Sequence, residues 1–131
     1  MDSIRLYDSR EQCTTTVDAE RVGQDKFRLM SNSLCSEDLS YGTLIRADYR
    51  PGSTDVYDFV SVIESSSYTQ HVYGLNYGLQ EDKLREIGEM ITNAGGYWEV
   101  VFGGIAYVNL PMNSTLDVEK EIKKRKTKQS V

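Results

Sequence analysis

Along most of residues 13–64 the apolar side chains recur at every second position. A clear helical period appears in residues 81–94, so the chain must build its core chiefly from sheet. Residues 13–22, CTTTVDAERV, are rich in β-branched side chains, and Cys13, Thr15, Val17 and Ala19 alternate with polar neighbours. Gly23, Gln24 and Asp25 supply a turn, after which Phe27 and Leu29 resume the alternation. Residues 31–41 carry neither period and are dominated by Ser, Asn and acidic residues, which predicts a loop with one helical turn near 36–39. Ile45, Ala47 and Tyr49 then alternate with Arg46 and Asp48 before the turn Pro51-Gly52-Ser53-Thr54. The following run, VYDFVSVIE over 56–64, is apolar at nearly every position of its second half. It reads as a central strand covered on both faces.

After Ser65-Ser66-Ser67 the pattern changes. Residues 68–77 alternate with His71, Tyr73, Leu75 and Tyr77 on one face. Leu84, Ile87, Met90, Ile91 and Ala94 recur at helical spacing, with Glu81 and Asp82 suiting the helix N-terminus. Residues 97–102 and 105–110 read as strands joined by Gly103-Gly104, a pair suited to a primed hairpin turn. Asn113 or Ser114 offers an N-cap for a last helix running to about residue 124, which carries cations at its end. The expected fold is a single α+β domain. An antiparallel β-meander over 12–66 packs with a ferredoxin-like βαββα half over 67–125, and 126–131 is a basic tail.

Charge narrows the function. The chain of 131 residues carries 15 Lys and Arg against 20 Asp and Glu, a net charge of −5. That sum conceals a body with nine basic and nineteen acidic side chains over residues 1–119, a balance of −10, and a tail at +5. An acidic body argues against binding nucleic acid or anionic lipid. The first ten residues are charged and lack the apolar core of a signal peptide, and the longest apolar runs are strand-sized, so no membrane association is expected. Cys13 and Cys35 lie in separate segments without CxxC spacing, which predicts a cytoplasmic chain with two reduced, buried thiols.

Catalytic patterns are weak. His71 is the single histidine and has no second ligand at metal-binding spacing. GxSxG, a phosphate-binding glycine loop and an EF-hand are all absent from the sequence, so no enzyme activity, metal or cofactor is expected. Tyrosine is the informative residue. Tyr41, Tyr49, Tyr57 and Tyr73 stand among Asp48, Asp55, Asp58 and Glu64, and tyrosine offers a large rigid contact surface with one polar end. An aromatic, acidic face of this kind suits a basic partner protein.

The runs Lys26-Phe27-Arg28-Leu29, Leu39-Ser40-Tyr41-Gly42-Thr43-Leu44-Ile45-Arg46-Ala47 and Val60-Ser61-Val62-Ile63-Glu64-Ser65 resemble a pattern of the bacterial domain-of-unknown-function family 4265: strand, tyrosine-glycine entry, strand, strand ending in Ser. Gly95-Gly96-Tyr97-Trp98-Glu99 and Tyr107-Val108-Asn109-Leu110-Pro111 are similar to its second half. Thr43 stands where that family usually has an acidic residue, and the glycine expected after the serine is missing at Ser66. The resemblance implies a small cytosolic bacterial α+β protein and transfers no catalytic residue. The leading expectation is a non-enzymatic immunity or antitoxin-type protein that occludes a basic toxin, possibly a nuclease. The alternative is an enzyme or small-molecule sensor with a pocket near His71 and Trp98, and a third reading gives the basic tail a nucleic-acid role.

Overall fold

The computed structural model describes residues 2–75 and 79–126. It divides into two compact units, Met1–Ser67 and Tyr68–Val131, parting at the end of the Ser65-Ser66-Ser67 segment. The expected tail and Tyr77 lie largely or wholly outside the described residues.

The first unit is a closed five-stranded barrel of β1 (Asp2–Asp8), β2 (Cys13–Arg21), β3 (Lys26–Leu29), β4 (Leu44–Tyr49) and β5 (Val56–Glu64). Each strand pairs antiparallel with the next, and β1 pairs parallel with β5 through Arg5↔Val56, Leu6↔Tyr57 and Tyr7↔Asp58. The parallel closure follows from counting: in an up-and-down run of odd number, the first and last strands point the same way. The expected meander is therefore closed by a strand that sequence reading did not find. The inward set, Ile4, Leu6, Val17, Ala19, Phe27, Leu29, Ile45 and Ala47, fills the barrel, and Leu39 from the loop after β3 joins it. A barrel this narrow is packed solid with side chains. The expectation that β5 is covered on both faces does not hold: Val60 and Ile63 are 48% and 45% exposed, as befits a barrel wall facing outward.

β1 also directs Asp8 inward, where it is 1% exposed. Arg10 resolves the cost of burying that charge. Its Nε and Nη2 donate to Asp8 at 2.9 and 2.8 Å, while Nη1 and Nη2 donate to Asp38 at 2.8 and 3.1 Å. The guanidinium lies 4.4 Å from the Phe59 ring centroid. Its hydrogen bonds hold both carboxyls below the usual carboxylate range.

The cysteines overturn one expectation outright. Cys13 and Cys35 are joined in a disulfide, with Cα atoms 5.8 Å apart. The loop from β3 to β4 folds back over the start of β2, a path that spacing along the chain does not disclose.

The second unit contains β6 (Tyr68–Gly74), α1 (Glu81–Asn93), β7 (Tyr97–Val101), β8 (Ile105–Pro111) and α2 (Val118–Arg125). The sheet order is β6-β8-β7, all antiparallel, so the elements follow the expected βαββα sequence with the last strand central. Ala106, Val108 and Leu110 of β8 form a core with Ile87 and Ile91 of α1 and Val118 and Ile122 of α2. Gly88 lets α1 sit on the sheet, because a Cβ there would lie 2.2 Å from Cζ2 of Trp98. Two expected details shift by a few residues. Phe102 and Gly103, with φ of +53° and +73°, occupy the left-handed positions of the hairpin turn in place of Gly103 and Gly104. Asp117 caps α2 by accepting from the Lys120 N–H at 3.1 Å, in place of Asn113 or Ser114. Among the described residues, no helix is long and apolar enough to cross a membrane.

Candidate functional site

The turn after Tyr49 folds β5 back along β4 so that the predicted residues meet in pairs. Asp48 stands opposite Asp58, and Tyr49 opposite Tyr57. Directly opposed side chains share a face of the sheet. Asp48 and Asp58 belong to the outward set, whereas Tyr49 and Tyr57 continue the inward set of Ala47 to the barrel end. The two rings meet there edge to face, with centroids 5.5 Å apart, and Tyr57 makes a second edge contact of 5.1 Å with the core ring of Phe27.

Around this rim lies a recess of about 670 Å³ lined by Arg21, Gln24, Asp25, Asp48, Tyr49 and Tyr57. Arg21 reaches across it, donating from Nη2 to the Tyr57 hydroxyl at 2.9 Å while its guanidinium lies 4.8 Å from the Phe27 ring centroid. The Tyr49 hydroxyl donates to the Ser53 carbonyl at 2.6 Å, which fixes that ring over the β4–β5 turn. Sequence reading missed Arg21, Gln24 and Asp25. They arrive because the β2–β3 turn lies beside β4, where the Ala47 N–H donates to the Asp25 carbonyl at 2.9 Å.

The other predicted residues are dispersed. Asp55 sits exposed at φ +55° in the turn before β5, where its carbonyl accepts from the Arg5 N–H at 2.9 Å. Glu64 ends β5, about 20 Å along the strand from Asp58. Tyr41 is half-buried in the loop after β3, with its N–H donating to Asn32 Oδ1 at 2.8 Å. Tyr73 belongs to the second unit, where burial, reinforced by Glu119 and Asp117, raises its hydroxyl pKa above the ordinary value.

The barrel's acidity is also less bare than composition implies. Arg50 pairs with Asp58 and lies 4.9 Å from the Tyr7 ring centroid; Arg46 holds Asp25 at 2.9 Å and Arg28 approaches Glu64 at 3.8 Å. Among the described residues Asp48 forms no ion pair, which leaves its charge as the principal unanswered one at the rim.

His71 and Trp98 both lie opposite Val108, on its two sides and on one face of the second sheet. His71 does not line the recess at Trp98. That recess, of about 410 Å³, is lined by Arg85, Gly88, Glu89, Thr92 and Asn93, and His71 instead stacks on Tyr73 with centroids 6.2 Å apart. Among the described residues, no group of three His, Cys, Asp or Glu side chains is placed to hold a metal.

No family model and no curated protein matches the chain. The resemblance to family 4265 therefore rests on the motifs quoted above. A crystal structure of a hypothetical protein from Neisseria gonorrhoeae matches it with a TM-score of 0.63, covering 95% of this chain and 87% of that one at 15% identity. At that identity the likeness is one of fold.

Proposed function

We propose that the chain is a small binding protein of the immunity or antitoxin type, which occludes a basic protein partner through the barrel rim at Asp48, Tyr49 and Tyr57. The observation that carries this reading is the recess that brings Asp48, Tyr49 and Tyr57 together, with Tyr49 opposed to Tyr57 across the strands and Asp48 outside any ion pair among the described residues. A lysine or arginine entering from a partner would meet the unpaired Asp48 carboxylate and the ring of Tyr49, which is 52% exposed. Arg21 against Tyr57 and Phe27 shows the same cation and ring chemistry already in use within the chain. The bacterial setting comes from the resemblance to family 4265. The reading needs neither a catalytic group nor a cofactor.

The test compares retention of proteins from the native host at low salt by the natural chain and by D48K/Y49A. Both substitutions lie on exposed side chains, so the thermal midpoint serves as the control for folding. The expected result is a basic protein retained by the natural chain, shed as salt rises, and lost from the variant, which still unfolds cooperatively at a midpoint lowered only by the lost Tyr49 contacts with Tyr57 and Ser53. Absence of a retained basic protein, or equal retention by the two chains, would sink the reading.

A further inference from the structure

We infer that residues 31–42, which connect β3 to β4, form a strap over the barrel that oxidation latches shut through Cys13 and Cys35. This inference stands independently of the partner reading. The strap is secured at both ends by the barrel's own hydrogen bonds: the Met30 N–H donates to the Asp18 carbonyl at 2.8 Å and the Gly42 N–H to the Leu29 carbonyl at 2.7 Å. Between those ends it inserts Leu39 into the barrel core at 0% exposure. Its outer bend, residues 34–38, has two ties to the barrel: the Cys13–Cys35 bond to the start of β2, and Arg10 of the β1–β2 turn, which pairs with Asp38 and donates to the Ser36 hydroxyl at 3.4 Å.

The two ties differ in kind. Arg10 and Asp38 are 43% and 49% exposed, and an ion pair that wet holds weakly. The disulfide is covalent, and both of its cysteines are only half-buried, within reach of a thiol reagent. Closing it requires an oxidant of the disulfide class. One cysteine thiolate attacks that disulfide, and the other thiolate then displaces the oxidant from the mixed disulfide. Overall, two thiols give up two protons and two electrons while the oxidant's disulfide becomes two thiols, one released at each displacement; a reducing dithiol runs the exchange backwards. Because cytosolic thiols are kept reduced, the closed strap belongs to oxidising surroundings, in place of the cytoplasm that the unpaired cysteines first implied.

The test uses the full chain equilibrated with oxidised glutathione or with dithiothreitol, followed by N-ethylmaleimide trapping, intact mass and hydrogen exchange. The oxidised chain should take up no maleimide, and the reduced chain two. Reduction should speed exchange across residues 31–42 about tenfold or more while β1, β2 and β4 keep their protection. The C13S/C35S double substitution should reproduce the reduced pattern under both conditions. Two maleimides on the oxidised chain, or strap exchange indifferent to reduction, would overturn the latch. So would protection lost equally from every strand, since the bond would then hold the barrel and not the strap.

Discussion

Replacing Arg10 by Met tests whether the barrel depends on neutralising the charge that β1 turns inward. Met preserves a flexible apolar stem against Phe59 but removes the guanidinium, leaving Asp8 with the N–H of residue 10, which donates to its Oδ1 at 3.0 Å. The Asp38 arm of the interaction is exposed on both sides and contributes about 0.5 kcal/mol. The Asp8 arm is different: charge-assisted bonds to a carboxylate 1% exposed contribute about 1.5–3 kcal/mol, partly offset because Arg10 itself stays half in water. The expected loss is about 2–3 kcal/mol. For a unit the size of the barrel, that lowers the thermal midpoint by about 10–15 °C at pH 7. The pH dependence supplies the check on mechanism. Asp8 has its folded pKa depressed, so its contribution is fully present above the unfolded value of about 3.9 and is lost as pH falls through the folded value. The gap between the natural chain and R10M should therefore be widest near neutrality and narrow below about pH 4. Thermal unfolding followed by circular dichroism at a series of pH values measures both quantities. A neutral-pH gap under about 3 °C, or a gap that persists undiminished down to about pH 2.5, would refute the assignment of Arg10 as the counter-charge of Asp8.

Two further substitutions probe the second unit. Gly88→Ala drives a Cβ into the Trp98 ring, so it should cost about 1–3 kcal/mol and shift the emission of the chain's single tryptophan; an unchanged spectrum and midpoint would contradict that packing. Phe102 holds a left-handed φ at 80% exposure, so Phe102→Gly should stabilise by about 0.5–1 kcal/mol in denaturant titrations. A lower denaturation midpoint would show that the Phe102 ring makes a contact worth more than the strain it carries.

Period-two alternation made β2, β3 and β4 legible because each buries one face, and the meeting of Asp48 with Asp58 and Tyr49 with Tyr57 follows once the turn at Pro51 is recognised. Other features depended on information that local patterns do not contain. β1 has only two apolar inward residues, Ile4 and Leu6, and its third inward position is Asp8, so alternation breaks where a buried carboxylate replaces an apolar side chain; only Arg10, two residues on, makes that position tolerable. The arginines that answer Asp25, Asp58 and Glu64 were visible as residues but not as partners, since pairing depends on strand register. The disulfide required the path of residues 31–42, a loop with neither period. The missed first strand and the misjudged setting of β5 share a root in closure. Had residues 2–8 been recognised as a strand, five strands in up-and-down order could close into a barrel only through a parallel first-to-last pair. Closing the sheet then supplies a reason for a run such as VYDFVSVIE to be apolar without being central: one side of β5 fills a barrel, and the other stands in water with Val60 and Ile63 exposed.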